Sequence, residues 1–215
     1  AEALAAAPAA AVLEEWQGLG YNRRAIRLRQ AAASVVPSGW PTTSEALQDL
    51  PGVGPYTAAA VACFAFGERM AAPDTKARRV LSRWHGEALS GGARWEAAAD
   101  HLPASASDWH QAIMDLGAAV CPPREPQCDA GPVMAWCADP AIYTPPRPQG
   151  RFAGSARQAR GAVVRHLVAN SAATVEDIAK ATGMGLDRIG PAVDALLEDG
   201  LISRNGSGPL KLPSA

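Results

Sequence analysis

A mainly α-helical chain, with a helix-hairpin-helix domain and a small C-terminal winged-helix-like module, is predicted by three observations. Alanine dominates the first part and Val/Ile/Thr alternation is nearly absent before residue 200, so the periodicity argues for helices rather than strands. The run Leu50-Pro51-Gly52-Val53-Gly54-Pro55-Tyr56-Thr57 separates two helical stretches by a tight turn. Near the C-terminus, three helical segments precede two short apolar runs around Asn205-Gly206-Ser207-Gly208. That is the order of a winged helix.

The elements follow in chain order. Ala3 to Trp16 and Asn22 to Ser34 read as helices, with Asn22 as N-cap of the second. Thr42-Thr43-Ser44-Glu45 has capping-box spacing and opens a short helix ending at Leu50. Pro55 suits the first position of the next helix, where its missing N–H costs nothing. The apolar run from Ala58 to Phe66 continues that helix to Gly67. Further helices are predicted over Thr75–Glu87, Trp95–Leu102 and Ser107–Val120. Pro140, Pro145, Pro146, Pro148, Gly150 and Gly154 mark a linker over 141–156. Beyond it, residues 157–213 hold helices Arg157–Ala169, Thr174–Thr182 and Leu186–Glu198, then the hairpin of Leu201–Arg204 with Pro209–Leu212.

Composition sets bounds. At 215 residues the chain accommodates one ordinary domain and a smaller second one. Apolar residues make up 48%, enough for a packed core. No apolar run approaches the roughly 20 residues that cross a bilayer, so no membrane role is expected. No charged-then-apolar leader opens the chain, so secretion is not expected either. The net charge of −1 lacks the overall basicity common in nucleic-acid binders, and positive charge is local instead. One cluster is Arg23, Arg24, Arg27 and Arg29; another is Lys76, Arg78, Arg79 and Arg83. The second directly follows Asp74, which favours phosphate contacts there.

Gly52 and Gly54 allow backbone N–H groups to approach a ligand closely. Free amides at the start of the following helix make an anion site, and phosphate is its natural occupant. A Gly/Pro turn between two core helices is the plain alternative for this segment. Asp74 has its own plain alternative, capping the Thr75–Glu87 helix.

Taken together, the Leu-Pro-Gly-Val-Gly hairpin, Asp74-Thr75 followed by Arg78-Arg79-Val80, Gln111-Ala112-Ile113-Met114-Asp115-Leu116-Gly117, and Leu19-Gly20-Tyr21 resemble the helix-hairpin-helix base-excision glycosylases. Within them the chain is similar to the A/G-specific adenine DNA glycosylases, over about residues 10 to 140. The resemblance implies a glycosylase domain over 1–140 that hydrolyses the N-glycosidic bond of adenine mispaired with 8-oxoguanine or guanine. It implies double-stranded DNA with a mismatched or oxidised pair as partner, and a monomeric protein in a bacterial-type cytoplasm, at the nucleoid. Asp74 takes the catalytic position, where a carboxylate stabilises an oxocarbenium-like sugar. Gly52, Val53, Gly54, Tyr56, Thr57, Lys76 and Arg78 take DNA-contacting positions. Endonuclease III enzymes have a lysine where Tyr56 stands, so the absence of an amine implies a monofunctional glycosylase rather than a lyase. Lys76 departs from the asparagine common in the family.

Cys121-x6-Cys128-x2-Gly131-x5-Cys137 has the spacing of the family's iron–sulfur loop, with Gly131 in one of the four cysteine positions. Four thiolates normally hold a [4Fe–4S] cluster. Three outcomes stay open: a cluster on three cysteines with an outside ligand, a labile three-iron species, or no cluster. Cys63, inside an alanine-rich helix, reads as a small core residue. The family also carries an earlier segment with a glutamate general acid, and none of Glu2, Glu14 or Glu15 sits in a matching context. An N-terminally incomplete enzyme is therefore expected. A non-catalytic DNA-binding paralogue and a glycosylase for another base remain alternatives. The last helix of the 157–213 module carries Asp187, Asp194, Glu198 and Asp199 against Arg188 alone, which favours docking, or a weak DNA contact through the wing, over groove reading.

Overall fold

The computed structural model describes residues 1–142, 148–206 and 208–213. Residues 143–147 of the expected linker and Ser207 of the expected turn lie outside the described residues. Two compact units form: residues 1–40, 50–52 and 149–215, and residues 41–49 and 53–148. This grouping cuts across the sequence-based division at 140 and 157, because the first forty residues share a core with the C-terminal helices. No helix among the described residues is long and apolar enough to cross a membrane.

The first unit begins with α1 (Glu2–Ala6) and α2 (Ala9–Glu15), where the sequence predicted one helix. Pro8 separates them: it has no N–H to donate, and it forces Ala7 out of the helical region, to φ −66°, ψ 139°. Helix α3 (Arg23–Ser38) runs a turn further than predicted, through Pro37, to Gly39 at φ +80°. Asn22 makes no capping bond, since its own backbone is already helical. Val12, Leu13 and Ala25 from these helices are buried in one cluster with Val163, Leu167, Ile189 and Leu196 from the C-terminal end. Burying an aliphatic side chain of this kind contributes about 1.5–3 kcal/mol, which is why these distant segments close together.

That end comprises α4 (Ala156–Ala169), α5 (Val175–Thr182) and α6 (Leu186–Glu198). Thr174 and Asp177 form a reciprocal capping box at the start of α5. Strands β1 (Ala172–Ala173), β2 (Ser203–Arg204) and β3 (Leu210–Lys211) form a small antiparallel sheet in the order β1-β3-β2. The sequence predicted the β2–β3 hairpin and missed β1, whose two alanines carry no strand signal.

The second unit holds the short helix α7 (Ser44–Leu47), the longer helices α8 (Pro55–Phe66), α9 (Thr75–His85), α10 (Ala93–Asp100) and α11 (Ala106–Ala119), and two 3-10 turns, Cys128–Ala130 and Met134–Trp136. Thr43, rather than Thr42, caps α7 by accepting from the Ala46 N–H at 3.3 Å, and the helix stops before Leu50. Helix α9 ends at Gly86, which takes φ +70°. The α9–α11 contact is built on Val80, Leu81 and Ile113, all buried. Cys63 is buried among them, as its alanine-rich setting predicted.

Candidate functional site

The turn between α7 and α8 is set by Gly52. Its φ of +83° lies in the left-handed region, and a Cβ there would come within 2.8 Å of Arg27 Cβ. Gly54 differs: it is extended at φ −94°, ψ 176°, and a Cβ there would meet nothing within 4 Å. The protein itself therefore requires glycine at 52 and leaves open space at 54. Gly54 is the N-cap of α8 and offers no side-chain acceptor. The first-turn amides of Tyr56 and Thr57, both exposed, face outward at the positive end of the helix.

Asp74 is the N-cap of α9, and its Oδ1 accepts from the Ala77 N–H at 2.7 Å. A carboxylate thus stands half-exposed at the helix start with one oxygen fixed. Tyr56 lies close enough to feel it: burial, then the Asp74 charge, push the phenol above its ordinary value. The phenol stays a neutral hydrogen-bonding group. In this way the hairpin helix and the Asp74 helix bring two of the sequence-predicted residues together.

Two further groups support Asp74, one of which, His110, the sequence did not single out. His110 is buried, and its Nε2 accepts from the Ala72 N–H at 3.2 Å and stands 3.0 Å from the Met70 carbonyl. It pins the segment that leads into Asp74. Gly117, the last residue of the Gln111–Gly117 motif, lets α11 pass α9 closely: a Cβ there would lie 3.0 Å from Lys76 Cβ. The sequence signal for His110 was a histidine on an apolar helix face; Gly117 was marked by the Gln111–Gly117 motif and as a glycine inside a helix, which costs about 1 kcal/mol without a packing reason.

The basic cluster that follows Asp74 divides. Lys76 and Arg78 are half-exposed. Arg79 turns inward, donating from Nη2 to the Gly117 carbonyl at 2.6 Å and from Nε to the Cys121 carbonyl at 2.9 Å. Arg83 is only 2% exposed, which corrects its expected place among phosphate-contacting residues. Its guanidinium donates to the carbonyls of Ile142 (3.1 Å), Pro122 (2.9 Å) and Pro123 (3.2 Å) and to Cys121 Sγ (2.8 Å). Its own carbonyl accepts from the Ala138 and Asp139 amides, each at 3.0 Å. One side chain thus ties down both ends of the 121–142 segment.

Cys121, Cys128, Gly131 and Cys137 line one cavity of about 40 Å³. Burial and the neighbouring Cys128 and Cys121 sulfurs push the Cys137 thiol up, against the pull of Arg83. At Gly131 the chain has closed: a Cβ there would meet the Cys128 carbonyl oxygen and Val120 Cγ1, each at 3.1 Å. Among the described residues no group of three or more His, Cys, Asp or Glu side chains is arranged to hold a metal ion. The donor set does not fit a four-thiolate cluster.

No protein-family model matches the chain. An adenine DNA glycosylase of Mycobacterium tuberculosis is 38% identical, over 98% of this chain and 74% of that protein. That of Mycolicibacterium smegmatis is 37% identical, over 99% and 76%. The human adenine DNA glycosylase is 41% identical over 60% of this chain and 26% of its own length. Among solved structures, a thermostable thymine-DNA glycosylase superposes with a TM-score of 0.60 at 33% identity, covering 64% of this chain and 68% of that one. An endonuclease III in a non-covalent DNA complex gives 0.56 at 24% identity, over 65% and 68%, a likeness of fold.

Proposed function

The chain belongs to the adenine DNA glycosylases, and from that premise we propose that it releases adenine paired with 8-oxoguanine or guanine from double-stranded DNA. In this reading it works as a monomer at the bacterial nucleoid, on a base flipped out of the duplex. The observation that carries the reading is Asp74 at the start of α9, half-exposed with one oxygen fixed by the Ala77 N–H. The C1′–N9 bond breaks with its electron pair leaving on the base, which takes up a proton. The Asp74 carboxylate stabilises the sugar cation, and water then adds to C1′ and loses a proton. Tyr56 offers no amine for a Schiff base, so the sugar–phosphate chain stays intact. Single-turnover base release from a duplex with adenine opposite 8-oxoguanine tests the assignment. Release of thymine from a G·T duplex instead would move it to another base.

Gly52, Val53, Gly54, Tyr56 and Thr57 hold a phosphate flanking the flipped nucleotide in this reading, with Lys76 and Arg78 on the same strand. The two glycines then separate fold from binding. Gly52→Ala forces a side chain into a left-handed backbone against Arg27, and is expected to cost about 1–3 kcal/mol of stability. Gly54→Ala loses at most about 1 kcal/mol as a poorer cap, yet weakens duplex binding by placing a methyl where the phosphate approaches. Thermal unfolding and fluorescence anisotropy on the same duplex check this. Equal stability losses at the two positions would refute the distinction.

For the cysteine loop we infer an altered site that does not carry a complete [4Fe–4S] cluster, the Arg83 network holding the loop in its place. The missing ligand at Gly131 and the closed backbone around it support this. Iron and acid-labile sulfide, assayed after anaerobic purification, are expected well below four of each per chain. Four of each would overturn the inference.

A further inference from the structure

The first unit contains a groove of about 530 Å³ that the hairpin and Asp74 do not use. Five arginines line it, Arg23 and Arg24 from α3 and Arg157, Arg160 and Arg165 from α4, against one carboxylate, Asp199. Asp199 pairs with both Arg23 and Arg160, the latter at 2.5 Å. That leaves the charges of Arg24, Arg157 and Arg165 facing no carboxylate in the lining. Arg24 lies over the Trp16 ring at 5.7 Å, and Arg157 donates to the Gly150 carbonyl at 2.6 Å, so neither bond neutralises its charge.

Arg157, Gly161 and Arg165 recur at four-residue spacing, so all three lie on one face of α4. A glycine inside a helix weakens it relative to alanine. Packing does not require this one, since a Cβ at Gly161 would meet nothing within 4 Å. Its effect is to leave bare backbone on the groove floor between two guanidinium groups, where a ligand's own backbone can approach. Two aromatic rings stand at the same groove, Phe152 at 58% exposure and Tyr21 at 65%. Tyr21 is held at φ +50°, its loop fixed by Trp16 Nε1–H donating to the Gly20 carbonyl at 2.9 Å and its hydroxyl by Gln149 at 2.8 Å. Guanidinium groups beside exposed rings are the pattern that holds a nucleic-acid strand, charge on the phosphates and rings on the bases.

We propose that this groove binds the sugar–phosphate backbone of DNA, so that the winged-helix-like module contacts DNA through its first helix, α4. Of the module's acidic residues, Asp187, Asp194 and Glu198 are exposed on a different helix, α6, Glu176 and Asp177 lie on α5, and Asp199 is the groove carboxylate already paired with Arg23 and Arg160. The proposal rests on the DNA-glycosylase reading and adds to it a second DNA contact.

The test is equilibrium binding of the whole chain to a short undamaged duplex across a salt series. Replacing both Arg157→Gln and Arg165→Gln is expected to weaken binding about tenfold at moderate salt. It should also lower the slope of log K against log salt by about 1.8, as two lost phosphate contacts require. The Arg157→Lys, Arg165→Lys pair should keep that slope. Unchanged affinity and slope in the glutamine pair overturn the groove alone. A loss shared equally by the lysine pair also overturns it, because the arginines would then be shaping the helix rather than meeting phosphates. Gly161→Ala gives an independent reading: Tm should rise by about 2–4 °C while duplex binding weakens. A rise in Tm with unchanged binding overturns the close approach. Absence of duplex binding by the unaltered chain would overturn the DNA reading beneath it.

Discussion

Asp74→Asn is expected to lower single-turnover release of adenine by about 10³-fold or more while duplex binding stays unchanged. The substitution is informative because it separates two roles of one side chain. As a cap, asparagine serves α9 as well as aspartate, since its amide oxygen still accepts from the Ala77 N–H. As a counter-charge to an oxocarbenium-like sugar, it offers nothing comparable. Stability should therefore stay within about 0.5 kcal/mol, the range of a conservative surface change. Base release should collapse in the same protein. Gel analysis of abasic product after alkali treatment, alongside a thermal melt, makes the comparison. Undiminished release would remove Asp74 from the chemistry and leave it as a cap only. Asp74→Ala is the companion: it should lose both, with about 1 kcal/mol from the missing cap.

Arg83→Met is expected to be the most destabilising single change in the second unit, by about 3–5 kcal/mol. Methionine fills much of the same space but donates nothing. The carbonyls of Pro122, Pro123 and Ile142 and the Cys121 sulfur would all lose their donor. Each buried acceptor left unpaired costs about 1–3 kcal/mol, less what water entering the loop recovers. Arg83→Lys should recover little, because one ammonium cannot reach four acceptors spread around a planar fork. Urea unfolding followed by tryptophan fluorescence reads the effect, with Trp84 and Trp136 in edge contact beside the loop. A loss below about 1 kcal/mol would mean that something other than Arg83 holds the 121–142 segment.

Much of the local structure was legible in the chain, and for local reasons. Pro55 at the first helical position, Gly67 at φ +71° closing that helix, and Thr174 as a cap are each set by a few neighbouring residues, whereas Gly86, inside the helix predicted to Glu87, ends it instead. The departures are also local. Pro8 breaks the alanine-rich run that the pattern predicts as one helix, and Asn22, the predicted N-cap, has a helical backbone and makes no capping bond. The sequence could not distinguish Gly52 from Gly54. Their difference lies in Arg27, a residue of another helix, which approaches one and not the other.

By itself the sequence determined the helical class, the hairpin, the carboxylate at position 74, the family and the loss of a cysteine at Gly131. Each of these is written in residue identity and short-range order, because caps, turns and motif spacing act over a few residues. Only the tertiary structure decided which arginines face outward. Arg78 and Arg83 belong to one basic run in the sequence, yet Arg83 lies buried under four acceptors drawn from residues 121 to 142. The tertiary structure alone also joined residues 1–40 to the C-terminal helices, turning two separate basic stretches into one groove. The physical reason is the same in both cases. Burial and charge pairing are properties of the segments that meet, and segments separated by tens of residues or more leave no sign of one another in local pattern.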